Sequence, residues 1–254
     1  MLQRFAIELA YNGTDFFGWQ IQPKQISVQE EIEKQLSRLL GNEPVKITGC
    51  GRTDTGVHAS YYVAHFDTTV DIDPETLLYK LNKMLPKSIV LYSIQAVSEE
   101  FHARFSAKKR QYTYTISQLK DPFNLNQWFL KQELNLEKMN QACELLLGTK
   151  DFTTFSKLHT DVKTNICTVF SANWVRIDSK IEFKIEADRF LRNMVRAIVG
   201  TLVDVGLNKI SLVEFEQAIT SMNRSNAGMS APGQALFLSN VIYDNSLFNR
   251  KFYK

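Results

Sequence analysis

Cysteine is scarce and poorly placed for cross-linking. Only Cys50, Cys143 and Cys167 occur in 254 residues; the number is odd, the spacing is wide and no Cys-x-x-Cys pair exists. Neither a disulfide framework nor a zinc site is expected from that pattern, and buried free thiols are. Long apolar runs are also missing. Nothing approaches the ~20 consecutive residues that span a bilayer, and Met1-Leu2-Gln3-Arg4 leads directly into a strand pattern with no secretory hydrophobic segment. The expectation is a cytoplasmic protein without membrane spans. Gly-x-Gly-x-x-Gly before a helix and Gly-x-x-x-x-Gly-Lys-Ser/Thr are both absent, which disfavours a parallel nucleotide-binding fold. Strong charge of one sign is lacking as well: a net +3 says little about a polyanionic partner, because such binding depends on how basic residues cluster.

What is present is an ordinary globular composition, 44% hydrophobic and 22% charged, in a chain long enough for two domains of roughly 100 to 150 residues. The expected division is 1–106 and 107–254. In the first half, Phe5, Ile7, Leu9 and Tyr11 alternate as a half-buried strand does. A helix follows, opened by a Ser27/Glu30 capping box, striped by Val28, Ile32, Leu36, Leu39 and Leu40, and closed by Gly41. Strands are expected at Val45–Thr48 and Tyr61–Phe66, a helix after Asp73-Pro74 with Pro86 past its end, and a strand at Ile89–Val97. The second half predicts a strand from Lys109 to Ser117, a helix from Leu136 to Leu147 that Gly148 can cap, and strands at Val169–Ile177 and Ile181–Ala187. It then predicts a long apolar helix from Phe190 to Val205, a short one from Ser211 with a Glu214 capping box and an Ile210/Phe215 staple, and a last strand at Leu236–Tyr243. Each half approximates strand, helix, strand, strand, helix, strand, the order of a ferredoxin-like (split βαβ) unit. The expected fold is α+β: two such subdomains with antiparallel sheets edge to edge, helices behind, and an open cleft in front.

The stretch richest in chemistry is Gly51-Arg52-Thr53-Asp54-Thr55-Gly56-Val57-His58-Ala59-Ser60, read as a loop between two strands. A lone Asp in a loop is commonly a turn residue or N-cap. Here Gly51 and Gly56 permit close backbone approach to a ligand, and Arg52 can grip phosphate or keep a carboxylate ionised. His58 reads either as a general base or as a hydrogen-bonded structural histidine at a strand start. A second cluster, His102 to Tyr114, carries Arg104, Lys108, Lys109 and Arg110 with no acid, interleaved with Phe105, Tyr112 and Tyr114. It reads as a solvated basic face or as an RNA surface. If the helix begins near Phe190, Arg189, Arg192 and Arg196 fall within roughly 60° of one another on it.

A series of blocks, in one order, resembles the tRNA pseudouridine synthase A family over nearly the whole chain: Tyr11-Asn12-Gly13-Thr14 with Gly18-Trp19-Gln20 and Val28-Gln29, the Asp54 loop, Phe101-His102-Ala103-Arg104-Phe105-Ser106, Arg110-Gln111-Tyr112-Thr113-Tyr114, Met194-Val195-Arg196, and Ala231-Pro232. The resemblance implies a pseudouridine synthase fold around a central basic cleft, a homodimer, and tRNA as substrate and partner, with uridines 38, 39 and 40 of the anticodon stem-loop as targets. It implies Asp54 as catalytic acid, Arg196 as its ion-pair partner and Tyr112 as the active-site tyrosine. Arg52, His58, His102, Arg104 and Arg110 become candidate substrate contacts, and no cofactor or metal is required. Two departures stand out. Ala231-Pro232-Gly233-Gln234-Ala235-Leu236 replaces an Ala-Pro-Ala before a Gly-Leu pair, and Lys163-Thr164-Asn165-Ile166 replaces an arginine-containing stretch.

Two other readings compete. Asp54-Thr55-Gly56 spells the triplet of aspartic proteases, but Arg52-Thr53 precede it where an apolar strand is needed, and no second copy supplies the other carboxylate. A non-catalytic RNA-binding module would use similar sheets and aromatics, although no RNP-type strand motif occurs.

Overall fold

The computed structural model describes residues 1–157 and 164–244. The fold is mixed α+β and divides into two compact units, one of residues 1–109 with the chain from Leu238 onward, the other Arg110–Phe237.

The first unit runs β1 (Gln3–Tyr11), α1 (Val28–Leu39), β2 (Ile47–Gly49), β3 (His58–Thr68), α2 (Pro74–Met84) and β4 (Ile89–Val97). Its sheet order is β4-β1-β3, with β2 antiparallel to β3. This is the strand order of a ferredoxin-like unit. Ser27 Oγ accepts the Glu30 N–H at 3.2 Å to start α1, and Asp73 Oδ2 accepts the Thr76 N–H at 3.0 Å to start α2. Val28, Ile32, Leu36, Leu77 and Leu81 form the buried helix faces.

The sheet differs from expectation in one respect. β1 is buried on both faces, because it lies centrally and residues after β4 fold over its polar side. Glu8 is only 7% exposed, yet its carboxylate accepts hydroxyl bonds from Tyr61 (2.7 Å) and Ser93 (2.6 Å), which offset the cost of burying it. Arg4 pairs with Asp67 at 2.7 Å on the same side and donates to the Glu99 and Phe101 carbonyls.

The second unit follows with β5 (Ala107–Ser117), β6 (Trp128–Phe129), α3 (Leu136–Glu144), β7 (Gly148–Asp151), β8 (Ile166–Ile177), β9 (Lys180–Ala187), α4 (Met194–Gly206) and α5 (Leu212–Thr220). Its sheet order is β5-β9-β8-β7. The last strand, β10 (Leu236–Tyr243), returns the chain to the first unit's sheet beside β3. Ser211 and Glu214 make the complete capping box at α5.

Two helix expectations need correction. α3 stops at Glu144, and Gly148 opens β7 instead of capping the helix. α4 starts at Met194, four residues later than the apolar pattern suggests, because Asn193 takes a left-handed backbone (φ 65°). Leu191 to Met194 form a turn, closed by the Met194 N–H on the Leu191 carbonyl at 3.1 Å. Arg189 and Arg192 therefore precede the helix, and the three-arginine arc does not form. All three cysteines are buried thiols outside any disulfide, and burial pushes the Cys143 and Cys167 thiols up to about 12. Among the described residues no helix is long and apolar enough to cross a membrane.

Candidate active site

Asp54 lies on the loop between β2 and β3, and that loop is immobilised from outside. Antiparallel pairing carries the chain to Cys50, whose N–H donates to the Val63 carbonyl at 2.9 Å. The next residue, Gly51, accepts the Tyr62 hydroxyl through its carbonyl. From there the segment following β1 grips the loop. Trp19 N–H donates to the Thr53 carbonyl (3.3 Å), and Gly56 N–H to the Phe16 carbonyl (3.2 Å). The Tyr11 hydroxyl and Thr53 Oγ1 share a bond of 2.9 Å, and Val57 N–H closes a turn on the Asp54 carbonyl at 3.1 Å.

Gly18 makes the grip possible. Its φ is +93°, and an added Cβ would stand 2.4 Å from the Thr53 carbonyl oxygen. A side chain there would be strained by the backbone and by the contact. Beneath the loop, Trp19 stacks on Tyr62 with ring centroids 4.1 Å apart, and Tyr11 meets Tyr62 edge-on at 5.5 Å. Thr53 is buried while Arg52 is exposed and Asp54 half-buried. A fixed backbone thus presents a carboxylate part-way into solvent, the preorganised geometry that acid–base or nucleophilic work demands.

His58 starts β3 and is fully buried; its Nδ1 accepts the Gly13 N–H at 2.9 Å. That bond ties the end of the Asp54 loop to the segment after β1. His102 and Arg104 lie on a separate turn. His102 Nδ1 accepts the backbone N–H groups of Arg104 (3.1 Å) and Phe105 (3.3 Å), and burial holds its pKa below the usual imidazole range. His65 anchors this turn to the sheet: its Nδ1 accepts the Ala103 N–H at 3.1 Å. Burial, then the nearby Arg4 and His102, pushes His65 down to about 4. Arg104 sits over the Phe105 ring at 5.4 Å, and both are exposed.

In the second unit, Tyr112 and Arg110 lie on β5 opposite Ile185 and Ala187 of β9. The Tyr112 ring is buried edge-on against Phe190 at 5.1 Å, and Arg110 Nη1 donates to the Asp188 carbonyl at 2.7 Å. Tyr114, on the same face as Tyr112, donates its hydroxyl to the Pro232 carbonyl at 3.0 Å; burial raises its pKa, and the neighbouring Arg196 opposes that rise. Arg196 occupies the first turn of α4, where its Nε donates to the Ala231 carbonyl at 2.7 Å. Ala231-Pro232 therefore act through their backbone carbonyls. Gln234, in the departing stretch after them, is exposed. Thr164 and Asn165 of the other departing stretch are described, and Asn165 Nδ2 donates to Thr153 Oγ1 at 2.8 Å; Lys163 lies outside the described residues.

The sequence alone gives Tyr11, Trp19 and Tyr62 no part in holding the Asp54 loop. Trp19 follows a glycine in a stretch with no strand or helix period, while Tyr11 and Tyr62 fall within strands, where an aromatic reads as core. Among the described residues no group of three or more His, Cys, Asp or Glu could hold a metal ion.

Comparison with known proteins adds independent findings. A family model described as "tRNA pseudouridine synthase" matches residues 8–106 and 142–244. The "tRNA pseudouridine synthase A" of Bacteroides fragilis is 49% identical over 250 residues, covering 97% of this chain and 99% of the relative. The protein of the same name from Porphyromonas gingivalis is 49% identical over 253 residues, covering 97% of this chain and all of the relative (100%). Among solved structures, "Crystal Structure of a Cbf5-Nop10-Gar1 Complex" aligns with a TM-score of 0.35 and 12% identity, over 94% of this chain and 59% of that one.

Proposed function

This chain belongs to the tRNA pseudouridine synthase family, and we propose that it isomerises uridine to pseudouridine at positions 38, 39 and 40 of the tRNA anticodon stem-loop, with Asp54 as the catalytic acid. As a family member it is an isomerase acting on uridine in tRNA. The positions and the residue roles are the proposal.

The reaction breaks the C1'–N1 glycosidic bond, turns the uracil, and joins C1' to C5. C5 loses a proton and N1 gains one, so atoms and electrons balance without a redox partner or group donor. One carboxylate suffices, as nucleophile on the sugar or base or as base toward a sugar proton, and then as acceptor for the C5 proton. The observation that carries the assignment is the clamped Asp54 loop: its backbone is held at Gly51, Thr53, Gly56 and Val57 while its carboxylate stays partly exposed.

In the proposed reaction Arg196 is the cation that pairs with Asp54. Tyr112 stacks on or orients the extruded base, a contact worth about 1–3 kcal/mol. Arg52, exposed beside the acid, fills the space of the flipped base or grips its phosphate. Arg104 and Arg110 contact the tRNA backbone, whereas His58 and His102 act on substrate through the loops they hold. The proposal extends to a cytoplasmic homodimer that holds one tRNA across both subunits.

The test is pseudouridine mapping on tRNA transcripts carrying a single uridine at 38, 39 or 40. Conversion at these sites by the intact protein, and none by Asp54→Ala, is expected. Conversion confined to other parts of the tRNA would overturn the site assignment.

A further inference from the structure

Residues 227–232 lie along α4 as a strap. The approach is closest at Gly200, where an added Cβ would stand 1.7 Å from the Met229 carbonyl oxygen. Gly228 N–H donates to Thr201 Oγ1 at 2.9 Å, and Thr201 Oγ1 donates in turn to the Ala197 carbonyl at 2.7 Å. At the start of the helix, strap and helix exchange bonds: Ala231 N–H to the Arg196 carbonyl (2.9 Å), and Arg196 Nε to the Ala231 carbonyl (2.7 Å).

Arg224, half-buried on a short 3-10 turn just before the strap, also holds it. Its Nη1 donates to the carbonyls of Ala227 (3.3 Å) and Gly228 (3.2 Å), and its Nη2 to Ser230 Oγ at 3.0 Å. The same Ser230 Oγ accepts Asn193 Nδ2 at 2.7 Å, from the left-handed residue that begins α4. Ser230 is thus held by both a guanidinium and the helix start, one residue before the carbonyl that receives Arg196.

We propose that Arg224 is a positioning residue for Arg196: by clasping the strap it fixes the Ala231 carbonyl, and that carbonyl sets the plane in which the Arg196 guanidinium presents its terminal amines. A guanidinium is planar, so anchoring Nε to a rigid acceptor leaves its Nη edge one direction. Misplacing a reacting group by about 1 Å can cost about a hundredfold in rate. The inference rests on the reading of Arg196 as the cation of the reaction.

The experiment uses the full chain. Tritium release from tRNA containing 5-tritiated uridine is followed for Arg224→Ala, Arg224→Lys, the milder Ser230→Ala, Arg196→Ala and the Arg224→Ala/Arg196→Ala pair. The Arg196 Nε–H resonance is followed by NMR in parallel. Arg224→Ala should lower kcat about ten- to a hundredfold with KM for tRNA within about twofold. Arg224→Lys, which keeps the charge and loses the planar fork, should recover little. Ser230→Ala should act in the same direction more weakly. The paired variant should be no slower than Arg196→Ala alone, because the one residue works through the other, and the Arg196 resonance should shift and exchange faster in Arg224→Ala. Full activity of Arg224→Ala, losses that multiply in the pair, or an unmoved Arg196 resonance would each overturn the proposal. An active Arg196→Ala would instead overturn the role given to Arg196, and the resonance would still decide whether Arg224 holds it.

Discussion

The first unit carries the proposed acid on a loop, whereas the second carries the proposed ring and cation on a strand and a helix. Asp54 has no register to place it, so its backbone is fixed by groups distant in sequence: Trp19, Phe16, Tyr11 and Tyr62. Tyr112 and Arg196 inherit their placement from β5 pairing and from the first turn of α4. Even there the last adjustment comes from irregular chain, since Arg196 Nε bonds the strap carbonyl of Ala231. A group on a loop is positioned by what grips the loop, and a group on a regular element by what trims its final rotamer.

The largest expected effect that separates the two devices is at Gly18. Gly18→Ala combines a left-handed backbone, costing about 1–2 kcal/mol, with an overlap of the kind that costs about 1–3 kcal/mol. Urea unfolding should show a loss of about 3 kcal/mol, and turnover should drop at least tenfold as the Asp54 loop moves. Unchanged stability and turnover would mean that the grip on the loop is not needed.

Next comes acid. His65 in the folded chain sits at about 4, below the 6.5 of the free imidazole, so its neutral ring contributes fully above pH 6.5. That contribution is lost as pH falls toward 4, when a proton on Nδ1 breaks the bond from Ala103 N–H. Linkage gives roughly 2–3 kcal/mol lost by pH 4. Asp67, held below its usual range by Arg4, keeps its charge through most of this window. Denaturant unfolding at pH 7 and pH 4.5 should show the loss in the intact chain and a smaller one in His65→Gln.

Gly200→Ala is the matched probe in the second unit. Alanine gains about 1 kcal/mol in a helix against an overlap with the Met229 carbonyl costing about 1–3 kcal/mol. The net loss should be about 1 kcal/mol, with a fall in kcat that outruns the fall in stability. Smallest is Ser211→Ala, which removes the α5 cap for about 1 kcal/mol and should leave turnover unchanged. A change in turnover there would show that the second unit responds as a whole and not through the strap.

Much of the scaffold was legible in local pattern. Ile89–Val97 and Leu236–Tyr243 form strands at the expected residues, and the Asp73-Pro74 and Ser211/Glu214 starts hold because capping is a contact within four residues. Long-range effects were not legible. Glu8 reads as a solvent-facing position in an alternating strand, yet it is buried, and two hydroxyls from the neighbouring strands satisfy it. The apolar spacing from Phe190 onward continues a helical period through a turn, and only the backbone of Asn193 shows where the helix begins. At the site, motif resemblance singled out Asp54, Tyr112 and Arg196. The gripping segment before α1 and the clasp at Arg224 have no period and act through backbone groups, which residue types do not reveal.

The most direct measurement is single-turnover tritium release from 5-tritiated uridine in tRNA by the intact chain, Asp54→Asn and Asp54→Ala, with tRNA binding measured on the same samples. If Asp54 does the chemistry, both variants bind tRNA within a few-fold of the intact chain and release tritium at least about a thousandfold more slowly. Release at the intact rate by either variant would contradict it.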